Sequence, residues 1–174
     1  MYIILIVVFL VGVLTKFADL AGDDGLKTRK LFSYTAGAIY GFLAAWILAS
    51  EYYLAPIVVG SVIAVLVTKK IDYRPHNIGI ASMVLFLGFW GFPAVDMLLL
   101  AIFAILGIGD EIGSDMVERG RIKGVIGNVL RYRLISDATA FFISLLTGIW
   151  IIFLASVVFD VGYIFTEKVG KRAR

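Results

Sequence analysis

The chain has 174 residues, 61% of them hydrophobic, 17% charged, with a net charge of +3 and no cysteine. Soluble domains run roughly 45–50% apolar and about 25% charged, so a mean hydropathy of +0.98 excludes an ordinary soluble domain. The absence of cysteine excludes a secreted disulfide scaffold, and the hydrophobicity excludes disorder. The modest basic balance belongs to membrane topology and gives no case for nucleic-acid binding.

The apolar residues form long blocks with the charges swept between them, the layout of an all-α, polytopic transmembrane bundle. A crossing needs roughly 20 mostly apolar residues. In chain order the candidates are 2–20, 31–50, 54–68, 78–92, 94–109 and 134–159, about six spans in a single integral membrane domain over residues 1–174. The third and fourth are short, and their ends are expected to extend into the neighbouring loops. The first block has no basic leader region and no small-residue cleavage site before Lys16, so it reads as a retained helix.

Basic residues orient these blocks. Lys27, Arg29 and Lys30 follow the first span, Lys69, Lys70 and Arg74 the third, and Arg119, Arg121, Lys123, Arg131 and Arg133 the fifth. The intervening loops around Glu51 and Asp96 carry no Lys or Arg. The positive-inside rule predicts a multi-pass cell-membrane protein with its N-terminus outside and its basic loops cytoplasmic. Six crossings leave Lys168, Lys171, Arg172 and Arg174 outside, against that rule. Five or seven crossings, or a bend near Asp160 and Gly162, remove the conflict. The chain also has no Gln and only two Asn, Asn77 and Asn128, a composition compatible with a hyperthermophile.

Carboxylates gather where apolar blocks end. Asp19, Gly22 and Asp24 match Asp110, Gly113 and Asp115 as Asp-x-x-Gly-x-Asp, and the openings at Leu31-Phe32-Ser33 and Leu134-Ile135-Ser136 also correspond. Together they suggest a parallel internal repeat whose second copy holds an insertion rich in Gly and Arg. Asp19 and Asp23 share a helix face, as do Glu111, Asp115 and Glu118. Like charges at that spacing repel, and a helix C-terminus disfavours anions. Lys/Arg partners or a divalent cation neutralise such a cluster. Mg²⁺ binds one or two carboxylates and completes its shell with water and substrate phosphate oxygens. Asp19, Asp23, Asp110 and Asp115 are therefore the candidate metal ligands. Lys16, Lys27, Arg29, Arg119 and Arg121 are the candidate phosphate contacts. The competing reading is a set of solvated loop charges at headgroup level. His76, the only histidine, reads as a polar loop residue whose neighbours Asp72, Arg74 and Asn77 suit a headgroup. Gly37-x-x-x-Gly41 reads as a close-packing face toward another helix of the chain.

Lys16-x-x-Asp19-x-x-Gly22-Asp23 resembles the second aspartate-rich motif of the UbiA-type intramembrane prenyltransferases. That resemblance implies Mg²⁺ held by Asp19 and Asp23 against a prenyl diphosphate, Lys16 near phosphate, and Asp110 and Asp115 standing where the other motif stands. The segment from Asp23 to Leu31 is similar to the Asp-Asp segment of polyprenyl-phosphate sugar-1-phosphate transferases. Both resemblances imply a polyprenyl substrate, Mg²⁺ and phosphorus chemistry at the cytoplasmic face. The expected function is a Mg²⁺-dependent, transferase-like membrane enzyme acting on a prenyl or lipid phosphate. A cation transporter or channel using the same carboxylates and a non-catalytic membrane structural protein are the alternatives.

Overall fold

The computed structural model describes residues 2–22, 30–69, 74–131 and 134–172. These residues form eight α-helices and no strand: α1 (Tyr2–Gly22), α2 (Lys30–Ser50), α3 (Ala55–Val67), α4 (Arg74–Trp90), α5 (Met97–Glu118), α6 (Gly124–Arg131), α7 (Leu134–Thr147) and α8 (Ile151–Arg172). The apolar blocks become helices because a helix satisfies its own backbone polar groups, which a bilayer cannot do. Among the described residues three helices, Tyr2–Ala21, Lys30–Ser50 and Met97–Glu118, are long and apolar enough to cross a membrane, fewer than the six spans expected.

Helix ends depart from the expected spans in three places. The fourth helix starts earlier, at Arg74, with Pro75 in the first turn, where a missing amide costs nothing. The fifth starts at Met97, because Asp96 accepts from the amides of Leu98 and Leu99 at 2.9 and 3.0 Å. It then continues to Glu118, so Asp110, Glu111 and Asp115 are helical residues. The expected single block 134–159 is two helices. Gly148 adopts a φ of 74°, a left-handed conformation natural to glycine. Ser144 Oγ secures the break by donating to the Ile149 carbonyl at 2.9 Å and accepting from the Phe153 amide at 3.2 Å.

The chain forms two compact units. Unit 1 comprises Met1–Tyr52, Ile71–Pro93 and Leu154–Arg174, and unit 2 comprises Tyr53–Lys70 and Ala94–Phe153. In unit 1, α1 and α2 pack together and are joined by seven residues, 23–29. Such a link reaches about 25 Å, less than the roughly 31 Å length of a 21-residue helix, so the two run antiparallel. Parallel to α2 runs α4: Gly37 abuts the backbone of Pro75 and Gly41 that of Gly79. The Gly-x-x-x-Gly face thus packs within the chain, as its spacing predicts. α8 runs parallel to α1, with Gly12 against Phe159 and Tyr163, and Leu20 against Gly170.

In unit 2, α3 and α5 are parallel and close, with Gly60 against Phe103 and Ala104 and Gly107 against Ala64. α7 returns antiparallel along α5, and a buried core of Phe103, Ala140 and Ile152 joins these elements to the start of α8. The Gly- and Arg-rich stretch that interrupts the suggested repeat contains α6. Leu130 of α6 is held against Gly113 of α5, where a Cβ would lie 2.6 Å from Leu130 Cδ2.

Candidate functional site

In unit 1 the C-terminal end of α1 carries a polar network inside an otherwise apolar helix set. Three glycines permit it. Gly12 and Gly162 bring α1 and α8 into backbone contact, and a Cβ on Gly162 would lie 2.5 Å from the Phe9 carbonyl oxygen. That approach sets Tyr163 beside Asp19, and the phenol donates to Asp19 Oδ2 at 2.6 Å. Gly79 leaves the space occupied by the Tyr40 ring, and Tyr40 Oη lies 2.9 Å from His76 Nδ1.

His76 joins the two halves, with its Nε2 2.7 Å from Asp19 Oδ1. An Asp19 carboxylate can only accept, so Nε2 carries a proton toward it. A neutral imidazole then accepts the Tyr40 hydroxyl proton at Nδ1. All three groups are satisfied in one direction, Tyr40 to His76 to Asp19, with Tyr163 closing the second Asp19 oxygen. Lys16, one turn before Asp19 and 9% exposed, places Nζ 4.9 Å from the Tyr163 ring centroid, within cation–π range. The His76 and Asp19 side chains keep 19% and 26% exposure, so the network is reachable from outside the helix packing.

An apolar groove of about 360 Å³ lies on helices of the same unit. Its walls include Val13, Leu14 and Phe17 of α1, Phe32 and Ile39 of α2, and Thr166 of α8. On α1, Phe17 of the groove and Asp19 of the network are about 200° apart around the helix, so the groove and the network lie on different faces of α1.

The other expected site residues fall differently. Asp110, 2% exposed, belongs to unit 2, where its Oδ2 accepts from the Ser136 amide at 2.9 Å and the Ser136 hydroxyl at 2.6 Å. It thereby holds the first turn of α7, an end where a negative charge is favourable. Asp115 pairs with Arg119 at 2.8 Å across one helical turn. Arg121 is exposed. Asp23, Lys27 and Arg29 lie outside the described residues. Among the described residues no group of three or more His, Asp or Glu side chains is placed to hold a metal ion.

Sequence reading passed over Tyr40 and Tyr163 and left His76 in a loop. The usable signal was the small-residue spacing: Gly37, Gly41 and Gly79 set α2 against α4, which brings a lone histidine next to a tyrosine. No family model, curated protein or solved structure matches the chain.

Proposed function

We propose that the chain is a multi-pass membrane enzyme of transferase type that acts on a prenyl or lipid phosphate, with its site in unit 1. The observation that carries this reading is the acid–base network of Asp19, His76, Tyr40 and Tyr163 held at one helix end among apolar helices. The groove suits the hydrocarbon chain. Asp19 orients the imidazole, and His76 with Tyr40 moves a proton at the reacting group. Lys16 supplies positive charge beside the network. Mg²⁺ is the cofactor expected from the resemblance; each Asp19 oxygen accepts one hydrogen bond and keeps a lone pair that a metal could use, and no step is assigned to the metal.

The proposed topology follows from helix directions within unit 1. Because α8 runs parallel to α1, Lys168, Lys171 and Arg172 come to the same end of that unit as Asp19 and Leu20. In this reading α7 and α8 count as separate crossings on either side of Gly148, which makes seven in place of the six expected. Seven crossings put the N-terminus outside and every basic cluster, the tail included, on the cytoplasmic side, as the charge rule demands.

Binding of a radiolabelled prenyl diphosphate to the reconstituted protein tests the proposal, with and without Mg²⁺. The expected result is saturable binding that His76→Gln and Asp19→Asn weaken at least tenfold while folding is retained. Equal binding by wild type and both variants overturns it. A second reading, proton transport, is favoured by the unbroken Tyr40–His76–Asp19–Tyr163 chain. Proton flux into vesicles under a potential, lost in His76→Gln, with no prenyl diphosphate binding, selects that reading.

A further inference from the structure

The residues that follow α5 have a composition unlike the rest of the protein. From Arg119 to Arg133 the chain carries five basic residues, Arg119, Arg121, Lys123, Arg131 and Arg133, and no acidic one. Arg119 is balanced by Asp115, while Arg121 and Lys123 are exposed. Beside them lies a cavity of about 330 Å³ in unit 2, lined by Gly120, Lys123, Gly124, Gly127 and Asn128 above Val117. The glycines keep it open. Gly120 and Gly124 have φ of 71° and 74°, and a Cβ on Gly127 would lie 3.2 Å from the Ile122 carbonyl oxygen. On α6, Leu130 is held against α5 at Gly113. Val125 and Ile126 remain 80% and 67% exposed.

Basic side chains, a recess with Lys123 and Asn128 in its lining, and two adjoining exposed aliphatic residues match one surface chemistry: an anionic headgroup above an acyl layer. A purely electrostatic partner leaves Val125 and Ile126 without a role. A purely apolar partner leaves Arg121 and Lys123 to be desolvated. We propose that the segment from Arg119 to Arg131 docks on anionic phospholipid, with a headgroup phosphate seated in the glycine-lined cavity by Lys123 and Asn128. Arg121 adds charge at the headgroup level, and Val125 and Ile126 enter the acyl region. This lipid is a structural partner of unit 2, and the assignment stands whether or not unit 1 is an enzyme.

The chain has no cysteine, so Ile126→Cys carries a single environment-sensitive fluorophore in the otherwise intact protein. It is reconstituted into phosphatidylcholine vesicles with and without 30% phosphatidylglycerol, and quenching by spin-labelled lipid of each kind is compared. The expected result is preferential quenching by phosphatidylglycerol. Each charge removed, Lys123→Gln and then Arg121→Gln, lowers that preference about fivefold, and raised salt weakens it. Both substituted residues are exposed, and melting in detergent verifies that the variants fold. A label on Ser61→Cys in α3, at an exposed position, responds equally to both lipids. Equal quenching at position 126 by both lipids, or a preference unchanged in the Arg121→Gln/Lys123→Gln double variant, overturns the proposal. So does loss of the preference on adding millimolar inorganic phosphate at constant ionic strength, which makes the cavity a site for free phosphate.

Discussion

Asp19 in unit 1 and Asp110 in unit 2 occupy the same place in an Asp-x-x-Gly-x-Asp pattern, and their helices have similar surroundings. Each helix packs against a parallel neighbour through glycine, α1 against α8 and α5 against α3, and each has an antiparallel apolar helix after it, α2 directly after α1 and α7 after α5 and the short α6. The carboxylates nonetheless meet different groups. Asp110 accepts from the backbone amide and the hydroxyl of Ser136 at a helix start. The matching Ser33 is 2% exposed, and its Oγ has no hydrogen-bond partner among the described residues. Asp19 instead accepts from the side chains of two further helices. A carboxylate that secures a helix end can be structural. One that aligns a histidine and a tyrosine can do acid–base work.

The largest expected effect breaks the side of the comparison that depends on packing. Gly41→Leu forces α2 away from Gly79, and with it the Tyr40–His76 contact that Asp19 relies on. Overpacking costs roughly 1–3 kcal/mol, sometimes more, and leucine at a backbone contact belongs at the upper end. Melting in detergent should fall steeply, and the His76 ring signals in NMR should lose their Tyr40 contact. An unchanged melting temperature contradicts the α2–α4 packing.

Asparagine at the two aspartates sharpens the contrast. An amide offers one acceptor and one donor. At position 19 its NH₂ must face either Tyr163 Oη or the protonated His76 nitrogen, leaving a donor unanswered at roughly 1–3 kcal/mol. At position 110 the amide oxygen still accepts from Ser136, but its NH₂ takes the place of the buried Oδ1, so a buried donor is introduced there too. Both substitutions should therefore destabilise the protein by roughly 1–3 kcal/mol, and only Asp19→Asn should also shift the His76 ring signals in NMR, because His76 bonds to Asp19 and Asp110 to Ser136. His76 signals unmoved by Asp19→Asn, or moved as far by Asp110→Asn, remove the distinction drawn here.

Tyr163→Phe separates the two bonds to Asp19. A single side-chain bond between membrane helices is worth about 0.6 kcal/mol on average and up to about 1.7. The loss should lie in that range and shrink when combined with Asp19→Asn, because the partner is already compromised. Strict additivity in the double-mutant cycle means that the phenol and carboxylate do not interact.

The helices were legible in the sequence because runs of apolar residues this long have few alternatives. The α7–α8 break was not. Gly148-Ile149-Trp150 lies within apolar residues on both sides, so no polar punctuation marks it, and the Ser144 bonds that hold it are visible only in three dimensions. Asp19 stood out as a carboxylate at the end of an apolar run. Its partners did not, since His76 is 57 residues away and Tyr163 is 144. Only the glycine contacts between helices bring them together, and spacing within one helix cannot name the helix opposite. The carboxylates of α5 were read as a cluster from their shared face, without the means to see Asp110 turned to Ser136 and Asp115 to Arg119.

Asp115 gives the smallest expected effect and tests the metal expectation directly. Its pair with Arg119 joins side chains 37% and 61% exposed, so solvent screening leaves it about 0.3–0.5 kcal/mol. Asp115→Asn should change melting by about that amount, and added salt should erase the difference. Bound Mg²⁺ would behave otherwise. A ligand held only by the folded state raises stability with its concentration, and removing one of its carboxylates lowers the slope of that rise. Melting of wild type and Asp115→Asn across a Mg²⁺ titration at constant ionic strength distinguishes the cases. Parallel curves mean that Arg119 is the counter-ion of Asp115. A rise in wild type that Asp115→Asn loses means that a cation displaces Arg119, and Asp115 then returns to the metal-binding set first suggested by its place beside Glu111 and Glu118.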